Sequence, residues 1–83
     1  MRKLFYFYEN DCPGCTNKAD MIKRVMEEKP TKFFDVDCSR QKDLADYYEI
    51  TRVPTFVIVD GDTEEKRHVG VMHEEQLIEF VGE

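Results

Sequence analysis

The sequence predicts one α/β domain over residues 1–83, in the order β-α-β-α-β-β-α, with a four-stranded mixed sheet flanked by helices. Three observations predict it. Short apolar, β-prone runs alternate with stretches of helical periodicity. A chain of 83 residues has room for one domain and no second. Proline, glycine and aspartate mark the boundaries between the runs, with no repeat, low-complexity tract or linker.

The elements follow in order. Leu4-Phe5-Tyr6-Phe7-Tyr8 is an unbroken run of strand formers, the pattern of a strand buried on both faces. Glu9-Asn10-Asp11 ends it. A helix is predicted over 13–28: Pro13 suits its first turn, where a missing N–H costs nothing, and Ala19, Ile22, Val25 and Met26 form an apolar stripe. Lys29-Pro30-Thr31 stops it. Residues 32–36 form a second strand, with Phe34 and Val36 on one face. Asp37-Cys38-Ser39 offers capping residues for a helix over 41–48, whose apolar side is Leu44, Ala45 and Tyr48, with Tyr47 also packing there. Residues 55–59, Thr-Phe-Val-Ile-Val, are the most β-prone stretch, and Asp60-Gly61-Asp62 is a turn. A polar edge strand returns over 66–70. A last helix over 74–81 buries Leu77, Phe80 and Val81, with His73 in its cap region ahead of Gln76. Right-handed crossovers make the first three strands parallel and the fourth antiparallel.

Composition narrows the function classes. The chain is 41% hydrophobic, with four tyrosines and six phenylalanines, enough to build a core and to exclude a disordered chain. A net charge of −6 argues against a general nucleic-acid or anionic-membrane binder, which presents a basic face. No apolar run approaches the roughly 20 residues a helix needs to cross a bilayer. Met1-Arg2-Lys3 and the apolar run after it are too short for a secretion signal and have no small-residue cleavage site. Three cysteines are too few and odd in number for a stapled secreted domain, so a cytoplasmic, reducing setting is expected.

Two of those cysteines form the C-x-x-C of Asp11-Cys12-Pro13-Gly14-Cys15. Alone the motif is weak, being shared with zinc ribbons and haem sites. It gains specificity from its place, after a strand and at a helix start, and from Val53-Pro54-Thr55 about forty residues later at the start of the third strand. Together these features resemble the thioredoxin/glutaredoxin superfamily. The stretch from Asp43 to Phe56, ending Ile50-Thr51-Arg52-Val53-Pro54-Thr55-Phe56, is similar to the segment that enters the cis-proline strand of thioredoxins. Val69-Gly70-Val71 and Glu75-Gln76-Leu77 resemble the thioredoxin end. The resemblance covers essentially the whole chain, without the extra N-terminal strand and helix of full-length thioredoxins.

The resemblance implies a thiol–disulfide oxidoreductase that reduces protein disulfides, serving electron transport and cell redox homeostasis. Cys12 is the implied nucleophile, favoured as thiolate by the helix N-terminus, and Cys15 the resolving thiol; the two form the redox-active disulfide. Pro13, Gly14, Val53, Pro54, Gly70 and Val71 are the implied substrate-binding residues, with a cis Val53–Pro54 bond offering backbone groups to an extended client. No bound cofactor or metal is expected. Electrons come from a thioredoxin-reductase-type protein or from glutathione, the partners are disulfide-containing client proteins, and the default state is a monomer.

Departures from the pattern bear on the partner. Asp11 stands where thioredoxins carry tryptophan, and a carboxylate there repels acidic partners such as glutathione. Tyr6 stands where thioredoxins bury an aspartate, leaving water or Glu9 to help deprotonate Cys15. Pro13 directly after Cys12 is glutaredoxin-like, yet only Gly70 represents the Gly-Gly pair with which glutaredoxins hold glutathione. A glutathione-coupled glutaredoxin is therefore the alternative enzyme reading, and a metal module using Cys12, Cys15 and Cys38 is a third. Cys38 otherwise reads as a small, partly buried residue or a regulatory thiol. Lys18 is a source of positive potential near Cys15 or a solvated helix lysine. His68 and His73 read as an edge-strand residue and a helix cap.

Overall fold

The computed structural model describes residues 1–12 and 18–83. Among the described residues seven elements follow one another: β1 (Arg2–Tyr8), α1 (Ala19–Glu27), β2 (Lys32–Asp37), α2 (Lys42–Tyr47), β3 (Thr55–Asp60), β4 (Thr63–Val69) and α3 (Glu74–Val81). The strands form one mixed sheet in the order β2-β1-β3-β4. The expected element order holds over the described residues. Of the helix expected over 13–28, residues 13–17 lie outside the described part.

β1 is the centre of the sheet, and the period-2 alternation of strand side chains sends its residues into two separate cores. Leu4 and Tyr6 face α1 and α3, where Ile22, Val25, Met26, Phe56, Ile58, Met72, Leu77 and Val81 complete one cluster. Phe7 faces the other way and joins Val36, Val57, Val59 and Ala45 of α2, with Phe5 and Tyr48 packed against them. Aromatic rings meet at 5.5 Å for Phe5–Tyr48 and 5.9 Å for Phe7–Tyr48. Helices thus cover both faces, which is why β1 and β3 read as unbroken apolar runs.

Four expectations are corrected. β3 runs antiparallel to β1, not parallel: Phe7 pairs with Thr55 and Arg2 with Asp60. β2 ends beside the end of β1, since Tyr8 pairs with Asp37. The six residues of α2 then rise only about 9 Å, against roughly 20 Å for a six-residue strand. The helix cannot carry the chain back along the sheet, so β3 starts at the end where β2 stopped. Secondly, Ala19 is exposed; the buried stripe of α1 is Ile22, Val25 and Met26. Thirdly, only Tyr48 of the tyrosine pair packs inward, while Tyr47 is 72% exposed. Finally, Gln41 rather than residues 37–39 stands at the N-cap of α2. Asp37 shapes the turn before it instead, its Oδ1 accepting from the Ser39 N–H at 2.9 Å and the Ser39 hydroxyl at 2.6 Å.

The edge strand β4 begins three residues earlier than its pattern suggests, because the turn at Gly61 (φ 62°) lets pairing resume at once. A bulge opposite Ile58 and Val59 leaves Glu65 out of the ladder. Its carboxylate receives both Nε and Nη2 of Arg2, at 3.0 and 2.7 Å. Arg2 also donates to the Thr31 hydroxyl at 3.2 Å and to the Val81 carbonyl at 2.8 Å. One side chain thereby ties β1, β4 and the end of α3 together. His73 caps α3 as expected, its N–H donating to Gln76 Oε1 at 3.0 Å, and Gly82 ends that helix in the left-handed conformation (φ 74°).

Leu77 and Ile58 are fully buried on the same face. Leu77→Ala is expected to cost about 2–5 kcal/mol and Ile58→Val about 0.5–1.5 kcal/mol, measured by urea unfolding.

Candidate functional site

The site lies at the end of the sheet where β1 and β2 finish and β3 begins. β1 closes at Tyr8, whose carbonyl accepts from the Cys38 N–H at 2.9 Å, and the chain turns at Glu9, whose carbonyl accepts from the Cys12 N–H at 3.1 Å. This turn places Cys12 half-buried against the α1–α3 core. Its sulfur is disulfide-bonded. Pro13, Gly14 and Cys15 lie outside the described residues, so the expectations placed on them have no structural description.

The remaining expected site residues converge here. Val53 packs against the same core cluster as Cys12. The Val53–Pro54 peptide is cis, as the resemblance implies. The Pro54 carbonyl accepts from the Gly70 N–H at 2.8 Å, joining the start of β3 to the end of β4. Gly70 sits at φ 112° with no atom crowding the place of a Cβ, so backbone conformation rather than space requires glycine. Val71 follows it, 46% exposed, and Val69 is exposed beside it.

The two described thiol environments differ. Cys38 is a free thiol packed against the α2 side of the sheet. Burial pushes its pKa up, and the charges of Glu9 and Asp37 push the same way. It stays protonated at neutral pH and is a poor nucleophile.

Tyr6 occupies the position where the resemblance puts a buried carboxylate. It is fully buried, with ring centroids 5.0 Å from Phe56 and 5.7 Å from Tyr8. Burial and then the neighbouring Tyr8 push its pKa up to about 12. It therefore brings a neutral phenol, not a negative charge, to the core beneath Cys12. Glu9 and Asp11 are both exposed at the rim. One feature of the site lies outside the expectations from sequence. A cleft of about 280 Å³ opens between α1 and β2, lined by Tyr6, Tyr8, Asn10, Ala19, Asp20, Lys23, Phe33 and Asp35. The signal was present in the alternation of β2, which puts Phe33 and Asp35 on one face.

A mixed four-stranded sheet, helices on both faces and a cysteine turn packed with a cis-proline loop define a thioredoxin-type redox domain. The chain belongs to the thioredoxin family, whose model, described as Thioredoxin, matches residues 2–83. With the family comes its general activity, thiol–disulfide oxidoreduction. The chain is 27% identical over 78 residues to a thioredoxin of Mycoplasma pneumoniae, covering 93% of this chain and 76% of that one. A thioredoxin of Mycoplasma genitalium is 27% identical over 75 residues, covering 89% and 74%. The X-ray structure of Fasciola hepatica thioredoxin superposes with a TM-score of 0.88 at 28% identity, over 96% of this chain and 77% of that one. A mutant thioredoxin of Halobacterium salinarum shares the fold, with a TM-score of 0.89 at 22% identity, covering 96% and 71%. Among the described residues no helix is long and apolar enough to cross a membrane.

The raised Tyr6 pKa has a defined consequence. A group whose folded pKa lies above its unfolded value contributes stability that is complete below about pH 10 and is lost as pH climbs toward 12. Tyr6→Phe is expected to flatten that alkaline loss, read as the change in urea midpoint between pH 9 and pH 11.5. An unchanged slope would place the ionisation elsewhere.

Proposed function

We propose that the chain reduces protein disulfides, with Cys12 as nucleophile, Cys15 as resolving thiol and a thioredoxin-reductase-type protein as electron source. The observation that carries the reading is the packing of Cys12 and Val53 on one core cluster, beside the cis Val53–Pro54 bond. A client strand laid along Val53 has its disulfide over Cys12.

The reaction runs in two exchanges. The Cys12 thiolate attacks one client sulfur, forming a Cys12–client disulfide and expelling the other client sulfur as thiolate. The Cys15 thiolate then attacks Cys12 Sγ, forming the Cys12–Cys15 disulfide and releasing the first client sulfur. The client gains two electrons and, once its thiolates protonate, two protons. The reductase returns two electrons to the oxidised pair. Pro13 and Gly14 stand between the two cysteines in the sequence, and Val53, Pro54, Gly70 and Val71 form the surface that receives the client.

The acids at the rim favour a protein client over glutathione, whose net charge is negative. Glu9 and Asp11 are both exposed there, and Gly70 is followed by the exposed Val71 rather than by a second glycine. The raised pKa of Cys38 keeps that thiol protonated and supports Cys12 and Cys15 as the working pair. A reducing compartment such as the cytoplasm suits this chemistry.

An insulin-reduction assay separates the electron sources. Turnover is expected with NADPH and a thioredoxin reductase, and little with glutathione and glutathione reductase. Cys12→Ser is expected to remove all activity while Cys38→Ser keeps it within about twofold. Turnover with glutathione alone, or a Cys38→Ser variant as inactive as Cys12→Ser, would overturn the assignment.

A further inference from the structure

The cleft between α1 and β2 lies on the flank of Cys12 opposite Val53. In the sheet order β2-β1-β3-β4, Val53, Pro54 and Gly70 belong to the β3–β4 side, and the cleft belongs to the β1–β2 side. Asn10, inside the turn closed by the Cys12 N–H on the Glu9 carbonyl, lines the cleft, so the cleft opens beside that turn. At about 280 Å³ it suits one long side chain rather than a whole small-molecule ligand.

Its walls are aromatic and its mouth is acidic. Tyr6 and Tyr8 stack with an interplanar angle of 16°, and Phe33 stands on the adjacent strand. Asp20 on α1 and Asp35 on β2 line the opening from two sides, with Glu9 and Asp11 exposed nearby. Among the described residues none of these four carboxylates is in an ion pair, although Asp37, Glu64, Glu65, Glu74 and Glu83 are. Lys23 also lines the cleft, but it is exposed, and a long lysine stem can hold its ammonium in water away from the opening. Aromatic faces with carboxylates at the rim attract a cation and repel an anion.

We propose that this cleft receives an arginine or lysine side chain of the client, adjacent to the client's reactive cysteine, and so selects basic disulfide segments. Asp20, Asp35 and the ring of Tyr8 determine specificity and take no part in the exchange itself. A client strand anchored at Val53 crosses Cys12 and continues over the β1–β2 side, which brings its next long side chain to the cleft. The inference rests on the protein-disulfide reading above and names the client's chemistry.

The test uses three peptide disulfides of one sequence, with arginine, glutamine or glutamate beside the cysteine, reduced by the intact protein and its reductase. The expected kcat/KM for the arginine peptide is about five- to tenfold above the glutamine peptide, with the glutamate peptide lowest. Asp20→Asn combined with Asp35→Asn is expected to remove the arginine preference, bringing the arginine and glutamine peptides to equal kcat/KM. Glu79→Gln, an exposed site on α3, removes the same kind of charge away from the cleft and is expected to keep the preference. Lys23→Gln is expected to enlarge it. Equal rates for arginine and glutamine peptides, or a preference that survives the double substitution, would overturn the inference while the reduction of the glutamine peptide upholds the reading beneath it. A fall in preference as large in Glu79→Gln as in the double variant would assign the effect to net charge and overturn it equally. Failure to reduce any of the three peptides would overturn the reading itself, and the inference with it.

Discussion

Burial of β1 on both faces is the constraint from which the other features follow. A strand covered on two sides must hydrogen-bond along both edges, because its backbone has no access to water. β2 supplies one edge in parallel and β3 the other in antiparallel register. With both edges and both faces occupied, β1 cannot shift by one residue without exchanging Leu4 and Tyr6 for Phe5 and Phe7 between two cores of different shape. Its end at Tyr8 is therefore a fixed point. Cys12 follows by a single turn and inherits that position.

The same arrangement separates the thiols by environment. Cys38 sits after β2 on the α2 side, where burial and two carboxylates keep it protonated. Cys12 sits after β1 on the opposite side, against the α1–α3 core. The two strands are parallel and end together, so both cysteines reach the same end of the sheet but pack on opposite sides of it. Tyr6 adds to the contrast. A neutral phenol in the core places no buried negative charge beneath the redox turn, and the acidity of the site lies at its exposed rim instead.

At the far end of the sheet, the fold relies on a polar clasp. A chain this small buries a limited fraction of its surface, so contacts that join distant segments matter to its integrity. Arg2 holds Glu65 of the bulge, Thr31 before β2 and the Val81 carbonyl at the end of α3. Thr31 is bonded in turn to Glu83. Redox chemistry at one end and the clasp at the other share β1 as their connection.

Much was legible in the sequence because it depends on neighbours along the chain. The strand formers at 4–8 and 55–59, the stripe Ile22–Val25–Met26 and the capping pair His73–Gln76 are local patterns, and each element formed where its pattern lies. The C-x-x-C together with Val53-Pro54-Thr55 pointed to the family, since those residues carry conformational and chemical requirements of their own. Tertiary structure decided what depends on reach and on packing partners. The direction of β3 follows from how far the short α2 can carry the chain. Tyr48 rather than Tyr47 packs inward because Phe5 and Phe7 are there to meet it. The cleft beside Cys12 exists because Tyr8, Asp20 and Asp35, far apart in sequence, face one another across β1, α1 and β2. The sequence by itself determined that this chain belongs to the thioredoxin family; only the folded sheet decided which side chains border Cys12, because neighbours across strands are set by register and not by order along the chain.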